Sequence, residues 1–163
     1  MHNQIGIQSI WTDRVSKGIK PNRKNLEKHL LDVHKFNTGF TEICSSVCKD
    51  RFGRTSYKWL AEVIDEEVHT NILDLACGSG PLLSLCHQLY GSKLFLTGVD
   101  MSEEELLIAK NRLPENIQLR RGIAQNLDFI ENNSLDVVLC HWALTLMDPI
   151  SDVFFEIKRT LKA

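Results

Sequence analysis

Two acids and two glycines are the first residues in this chain whose types and spacing could do chemistry: Asp74, Gly78 and Gly80, then Asp100. The first three lie in the run N-I-L-D-L-A-C-G-S-G-P-L-L, residues 71–83. A short apolar stretch, a glycine turn and a proline that opens a helical pattern form, in a parallel sheet, a ligand site at the strand's end. Gly78 and Gly80 can take backbone angles that side chains forbid and let a ligand approach the main chain. Pro81 lacks an N–H that a first helical turn would leave unpaired. Asp100 ends the next apolar run about twenty residues beyond the turn, where such folds place a ribose-binding acid. Each hydroxyl bond to a charged acceptor there is worth about 1.5–3 kcal/mol. The other reading of Asp100 is an N-cap for the helix that follows.

A nicotinamide dinucleotide site would need a third small residue, G-x-G-x-x-G/A, for close helix–strand packing. Leu83 stands there, which disfavours an NAD-dependent oxidoreductase.

The elements that must position these residues alternate. Strands are expected over 71–76, 94–99, 117–121 and 135–140. Helices are expected over 81–90, with Leu82, Leu85, Cys86 and Leu89 inward, from 102 to before Pro114, and from 148, with Phe154, Ile157 and Leu161 inward. Ser102 with Glu103, Glu104 and Glu105 reads as a capping box. The series demands an α/β fold with a parallel sheet and right-handed crossovers. Before it come helices over 25–36, from 40 to a stop at Gly53, and over 55–66. Phe40, Ile43, Cys44, Val47 and Cys48 form one apolar stripe, and Trp59, Leu60, Val63 and Ile64 another. Trp11 sits in a short run that reads as either helix or arm.

Asp74, Ala76, Gly78 and Gly80 resemble, in order, motif I of the class I S-adenosylmethionine-dependent methyltransferases, roughly acid-x-Ala/Gly-x-Gly-x-Gly. The resemblance runs from about residue 71 to the C-terminus. It implies a Rossmann-like sheet of strand order 3-2-1-4, truncated from a seven-stranded fold, in a partial cofactor-binding core over 71–163. Residues 1–70 would form an N-terminal helical lid. It implies S-adenosylmethionine as methyl donor and S-adenosylhomocysteine as product. Met101, following Asp100, would pack against adenine. Residues 122–127 align with a G-D-A-x-x-L segment whose acid contacts the adenine amino group; Ile123 replaces that acid, leaving backbone near Ile123 and Ala124, or the Gln125 amide, to substitute. Gln125 as a solvated loop residue is the alternative. Asp74 would orient the turn or reach the cofactor's ammonium through water. His141 would line the methionine end or act as a base, with a satisfied structural histidine equally open. Trp142 reads as core or pocket wall, Asp136 as structural, and either Tyr57 or Trp59 as facing the pocket, with core packing favoured for Trp59.

The resemblance also implies three further strands after the last helix. Without them strand four is an apolar edge, which invites pairing with another chain, homo-oligomer included. A fragment of a longer protein is the expected explanation. No Asp/Asn-Pro-Pro-aromatic run follows strand four, so a nucleic-acid amine is not the expected acceptor and a small molecule is. A non-catalytic cofactor-binding or interaction module is the rival from another class.

Composition sets outer bounds. The chain has 163 residues, 43% hydrophobic and 25% charged, suiting one globular domain. A net charge of -2 provides no global field for nucleic acid. No apolar stretch approaches a membrane span, and the N-terminus has no secretory pattern. Five cysteines, each in an apolar pattern, read as buried reduced thiols and a cytoplasmic setting, with no metal site.

Overall fold

The computed structural model describes residues 8–37 and 39–163. Four helices come first: α1 (Ile10–Ser16), α2 (Arg23–Phe36), α3 (Phe40–Val47) and α4 (Ser56–Ala61). Then follow β1 (Asn71–Leu75), α5 (Pro81–Tyr90), β2 (Phe95–Asp100), α6 (Glu103–Arg112), β3 (Gln118–Arg121), β4 (Val137–Leu139) and α7 (Ile150–Thr160). Trp11 falls in α1.

The four strands are parallel, in the order β3-β2-β1-β4 that the resemblance implies. Register places Asp74 between Gly98 of β2 and Leu139 of β4. Successive residues of a strand face opposite sides, and two apolar clusters result. Ile72, Leu96 and Leu139 pack under α5 and α6 with Leu82, Leu83, Cys86 and Ala109. Leu73, Leu75 and Val99 pack under α7 with Leu127 and Val153. Each buried aliphatic side chain stabilises the fold by about 1.5–3 kcal/mol.

Gly98 explains how Leu83 fits. A Cβ on Gly98 would stand 2.6 Å from Leu83 Cδ1, 2.8 Å from Cys77 Sγ and 2.9 Å from Leu119 Cδ2. The room that a dinucleotide turn makes with a small helix residue is made here by a small strand residue.

Several sequence expectations shift. β1 stops at Leu75 because Ala76 turns left-handed, φ 61°. Leu135 leaves β4 to bridge Leu161 beyond α7. α4 ends after Ala61 in short i+3 turns, which bury Ile64 and put Val63 outside; Trp59 is 55% exposed, not core. In α3 three positions of the expected stripe, Ile43, Val47 and Cys48, are exposed, Cys44 is half-buried, and Ser45 is fully buried. The reason is what α3 meets, a polar glycine turn and an arginine, which favour Glu42 and not an aliphatic face. In α7 Val153, Glu156 and Thr160 are the buried positions; of the expected stripe Ile157 and Leu161 pack against the core while Phe154 is exposed, and Leu89 of α5 is exposed too. Among the cysteines, Cys77 and Cys86 are buried, Cys44 and Cys140 half-buried, and Cys48 is exposed; all are free thiols.

At the amino end of the sheet Asp136 acts as a staple. Its carboxylate accepts the Thr70 and Asn71 N–H groups, the Thr70 hydroxyl and Lys162 Nζ, the last at 2.7 Å. Those donors hold it well below the usual carboxylate range, Lys162 foremost.

Candidate functional site

At the carboxyl end of β1 the chain turns through two left-handed glycines. Gly78 and Gly80 take φ of 51° and 78°, angles that cost a side-chain-bearing residue about 1–2 kcal/mol. Gly80 also lies against α6, where a Cβ would come within 2.7 Å of Leu113 Cδ1. Gly80 therefore serves packing and lines neither cavity described below. A Cβ on Gly78 would meet only Glu105 Oε2, at an ordinary 3.9 Å.

Asp100 ties this turn to β2. Its Oδ2 accepts the Gly78 N–H and its Oδ1 the Ser102 N–H, both at 2.8 Å. Ser102, not Asp100, caps α6 by accepting the Glu105 N–H. The expected capping box is only half formed, because the Glu105 carboxylate does not return to its own helix. Its Oε1 accepts the Gly39 N–H at 3.1 Å and meets His34 Nδ1 at 3.2 Å. Glu42 of α3 makes the second cross-contact, accepting Ser79 Oγ at 3.3 Å and Arg112 at 2.8 Å. The N-terminal helices are thus held by two carboxylates, Glu105 tying them to α6 and Glu42 to the glycine turn and to Arg112 of α6.

Burial sets the electrostatics. Asp74 is 2% exposed, and nothing among the described residues donates to its carboxylate. Burial, with Asp100 nearby, drives its pKa well up. Burial also raises Asp100, against the opposing pull of its two amide donors. The Glu105 bond raises His34. Burial lowers His141, which favours the neutral ring.

Two adjoining cavities open here. The smaller, about 90 Å³, gathers Asp100, Met101, Ile123, Ala124 and Gln125. Gln125 donates its amide to the Asp148 carbonyl at 3.1 Å. The larger, about 320 Å³, gathers Asp74, Gly78, Asp100, Glu105 and His141. Ala76, His34 and Leu30 line both. Four carboxylates line the larger one, those of Asp74, Asp100, Glu42 and Glu105, with no lysine or arginine. Tyr57 reaches it and Trp59 does not. His141 Nε2 lies 2.8 Å from Ser56 Oγ, and its ring packs between Tyr57, at 4.1 Å, and Trp142, at 4.9 Å.

Sequence reasoning missed His34, Ser56 and Glu42. Their partners lie 71, 85 and 37 residues away, so no local pattern announces them.

The family model of the methyltransferase domain matches residues 72–163, and the chain belongs to that family. Its four-stranded sheet is that of the class I S-adenosylmethionine-dependent fold, and S-adenosylmethionine is the cofactor that goes with it. The chain is 32% identical over 107 residues to the demethylmenaquinone methyltransferase of Staphylococcus epidermidis, covering 64% of this chain and 44% of that protein. It is 31% identical over 103 residues to the arsenite methyltransferase of Mus musculus, covering 56% and 27%. The crystal structure of an arsenic(III) S-adenosylmethionine methyltransferase from Chlamydomonas reinhardtii matches with a TM-score of 0.54 and 27% identity, over 57% of this chain and 35% of that one. This chain spans less than half the length of these relatives.

Proposed function

We propose that the protein binds S-adenosylmethionine across the two cavities and transfers its methyl group to a small-molecule acceptor. The observation that carries this reading is Asp74 with Asp100: two buried carboxylates, both raised by burial, at a glycine turn in a cavity without lysine or arginine. The His34 ring that lines it is engaged by Glu105, which leaves Asp74 and Asp100 without a cationic partner, and a ligand bearing a sulfonium and an ammonium supplies one. The residues present therefore fit the cofactor.

When bound, the cofactor supplies a methyl group on a sulfur already activated by its positive charge. The chain's own residues would do the rest. Met101, Ile123 and Ala124 would enclose the adenine, with main chain replacing the acid that Ile123 displaces. Asp100 would accept the ribose hydroxyls with lone pairs left over from its two amides. The Gly78 turn and Asp74 would face the methionine portion. α1 to α4 would act as the lid over 1–70, with Leu30 and His34 excluding water, which strengthens every charge interaction beneath. Rate then comes chiefly from proximity and alignment.

The mouse and algal relatives act on arsenic and the bacterial one on a demethylated quinone, by their names; what they share with this reading is a small acceptor. Among the described residues no helix is long and apolar enough to cross a membrane. Five free thiols support a reducing, cytoplasmic setting. The β4 edge is the face through which a homo-oligomer would pair.

Calorimetric titration with S-adenosylmethionine, S-adenosylhomocysteine and NAD tests the proposal. Binding of both sulfur ligands and not of NAD is expected; a folded sample that binds neither sulfur ligand defeats it.

A further inference from the structure

Asp74 is a buried acid with no answering group in its own fold. It lies opposite Gly98 of β2 and Leu139 of β4, neither of which brings a polar side chain. Asp100, two residues beyond Gly98, shares its face of the sheet. No donor among the described residues reaches the Asp74 carboxyl, and the residue is 2% exposed. Its oxygens are nevertheless not sealed. Among the described residues the unpartnered side-chain atoms wholly shut from solvent are His87 Nδ1 and His141 Nδ1, and no Asp74 oxygen is with them. The surface the carboxyl keeps opens on the larger cavity, which Asp74 lines.

A buried carboxyl with no donor takes a proton in preference to standing ionised. Asp100 has the Gly78 and Ser102 amides, which favour its ionised form, so of the two acids Asp74 is the one that keeps a proton. Cys77 of the turn, Cys86 of α5, Tyr57 of α4 and Cys140 beyond β4 all feel Asp74 and are all pushed up, so they stay neutral and supply no charge of either sign. Across the cavity Glu105 of α6 is bonded to Gly39 and to His34 of α2, Glu42 of α3 is bonded to Ser79 and Arg112, and burial favours neutral His141.

We infer that Asp74 stands protonated in the empty site and exchanges that proton for a cationic centre of the ligand, so that capture of the charged nucleoside releases a proton to water. The inference rests on the methyltransferase reading for the ligand's identity. The carboxyl O–H bond breaks, its electron pair stays on the carboxylate, and the proton passes to the buffer. The ligand's cation then meets a full negative charge that the empty site did not carry. Affinity follows by linkage. While the empty site holds its proton, binding tightens as pH rises, and the tightening ends once pH passes the empty site's pKa. S-adenosylmethionine has two such cations, its sulfonium and its ammonium, and S-adenosylhomocysteine keeps the ammonium alone. Exchange against the sulfonium would let methyl transfer itself loosen the product; exchange against the ammonium would hold substrate and product alike.

Calorimetric titration in pairs of buffers with different ionisation heats counts the protons. S-adenosylmethionine, S-adenosylhomocysteine and 5′-methylthioadenosine, which has neither cation, are each titrated from about pH 5 to about pH 8 into the wild type and into Asp74→Asn. The variant keeps the side chain's shape without its titrating proton, so the difference between the two proteins cancels the titration of His34 and of the ligand. With S-adenosylmethionine that difference should be about one proton per site at the acid end, declining as pH rises through the empty site's pKa, and wild-type affinity should rise about tenfold per pH unit relative to the variant while release is complete. The same release with S-adenosylhomocysteine assigns the exchange to the ammonium; none assigns it to the sulfonium. Wild-type binding heats at the acid end that do not depend on the buffer, equal release by Asp74→Asn, or equal release by 5′-methylthioadenosine each overturns the inference. Failure of both sulfur ligands to bind at any pH is a separate result, and it strikes the methyltransferase reading instead.

Discussion

Asp136 and Asp74 sit at opposite ends of the same sheet and have opposite electrostatics. Asp136, at the amino end of β4, collects four donors and is held well below the usual carboxylate range. Asp74, near the carboxyl end of β1, collects none among the described residues and is driven well above it. One carboxylate is satisfied by its own fold. The other is buried by the fold and left for something else to satisfy. Where a fold leaves a buried charge unmet beside a cavity, ligand binding is the physical explanation to test first.

The largest expected effect belongs to Asp100, which partakes of both behaviours. Asp100→Ala should weaken S-adenosylmethionine binding at least about a hundredfold, since two charge-assisted bonds are lost. It should also lower stability, because the Gly78 and Ser102 amides lose their acceptor. Calorimetry and denaturant unfolding separate the two losses; unchanged affinity would refute the ribose role. Next comes Asp136→Ala, expected to cost about 2–4 kcal/mol in unfolding free energy with cofactor affinity intact. Its folded pKa is depressed, so its contribution is present above the unfolded value and lost as pH falls through the folded one. The penalty should therefore shrink in acid.

Asp74→Asn should do the reverse. Its folded pKa is raised, so its stabilising contribution is present below the unfolded value and lost as pH rises through the folded one. At neutral pH the variant should melt above the wild type, and the gap should close in acid. Cofactor affinity should fall about tenfold. A variant that melts lower at neutral pH would show that Asp74 is already paired in the fold. The smallest effect is expected from Lys162→Ala. Lys162 is 45% exposed, so removing its half of the Asp136 pair should cost under about 1 kcal/mol, measured by urea unfolding.

The half of the chain organised by periodicity was legible beforehand. β1, the turn and α5 lie where residues 71–90 placed them, and the strand order follows the methyltransferase resemblance. The place of Asp100 at the end of β2 was readable from spacing because strand, crossover and strand have nearly fixed lengths. The N-terminal helices were legible as helices but not in their orientation. Ile43 and Val47 make a good apolar stripe, yet α3 turns Glu42 inward, because the surface it meets is polar. A periodic pattern says which face is apolar, not what stands opposite. Gly98 shows the same limit in the core. Its lack of a side chain makes sense only once register puts Leu83, Cys77 and Leu119 around it.

The Glu105 carboxylate, given up by its own helix and shared between Gly39 and His34, carries a dynamic consequence. The N-terminal helices cannot swing away without breaking bonds to the first turn of α6, beside the glycine amides. Opening of that region and loosening of the α6 start are then one event. Amide hydrogen exchange should report it as a single rate shared by Gly39 and the residues after Ser102, and a ligand seated at the turn should slow both together.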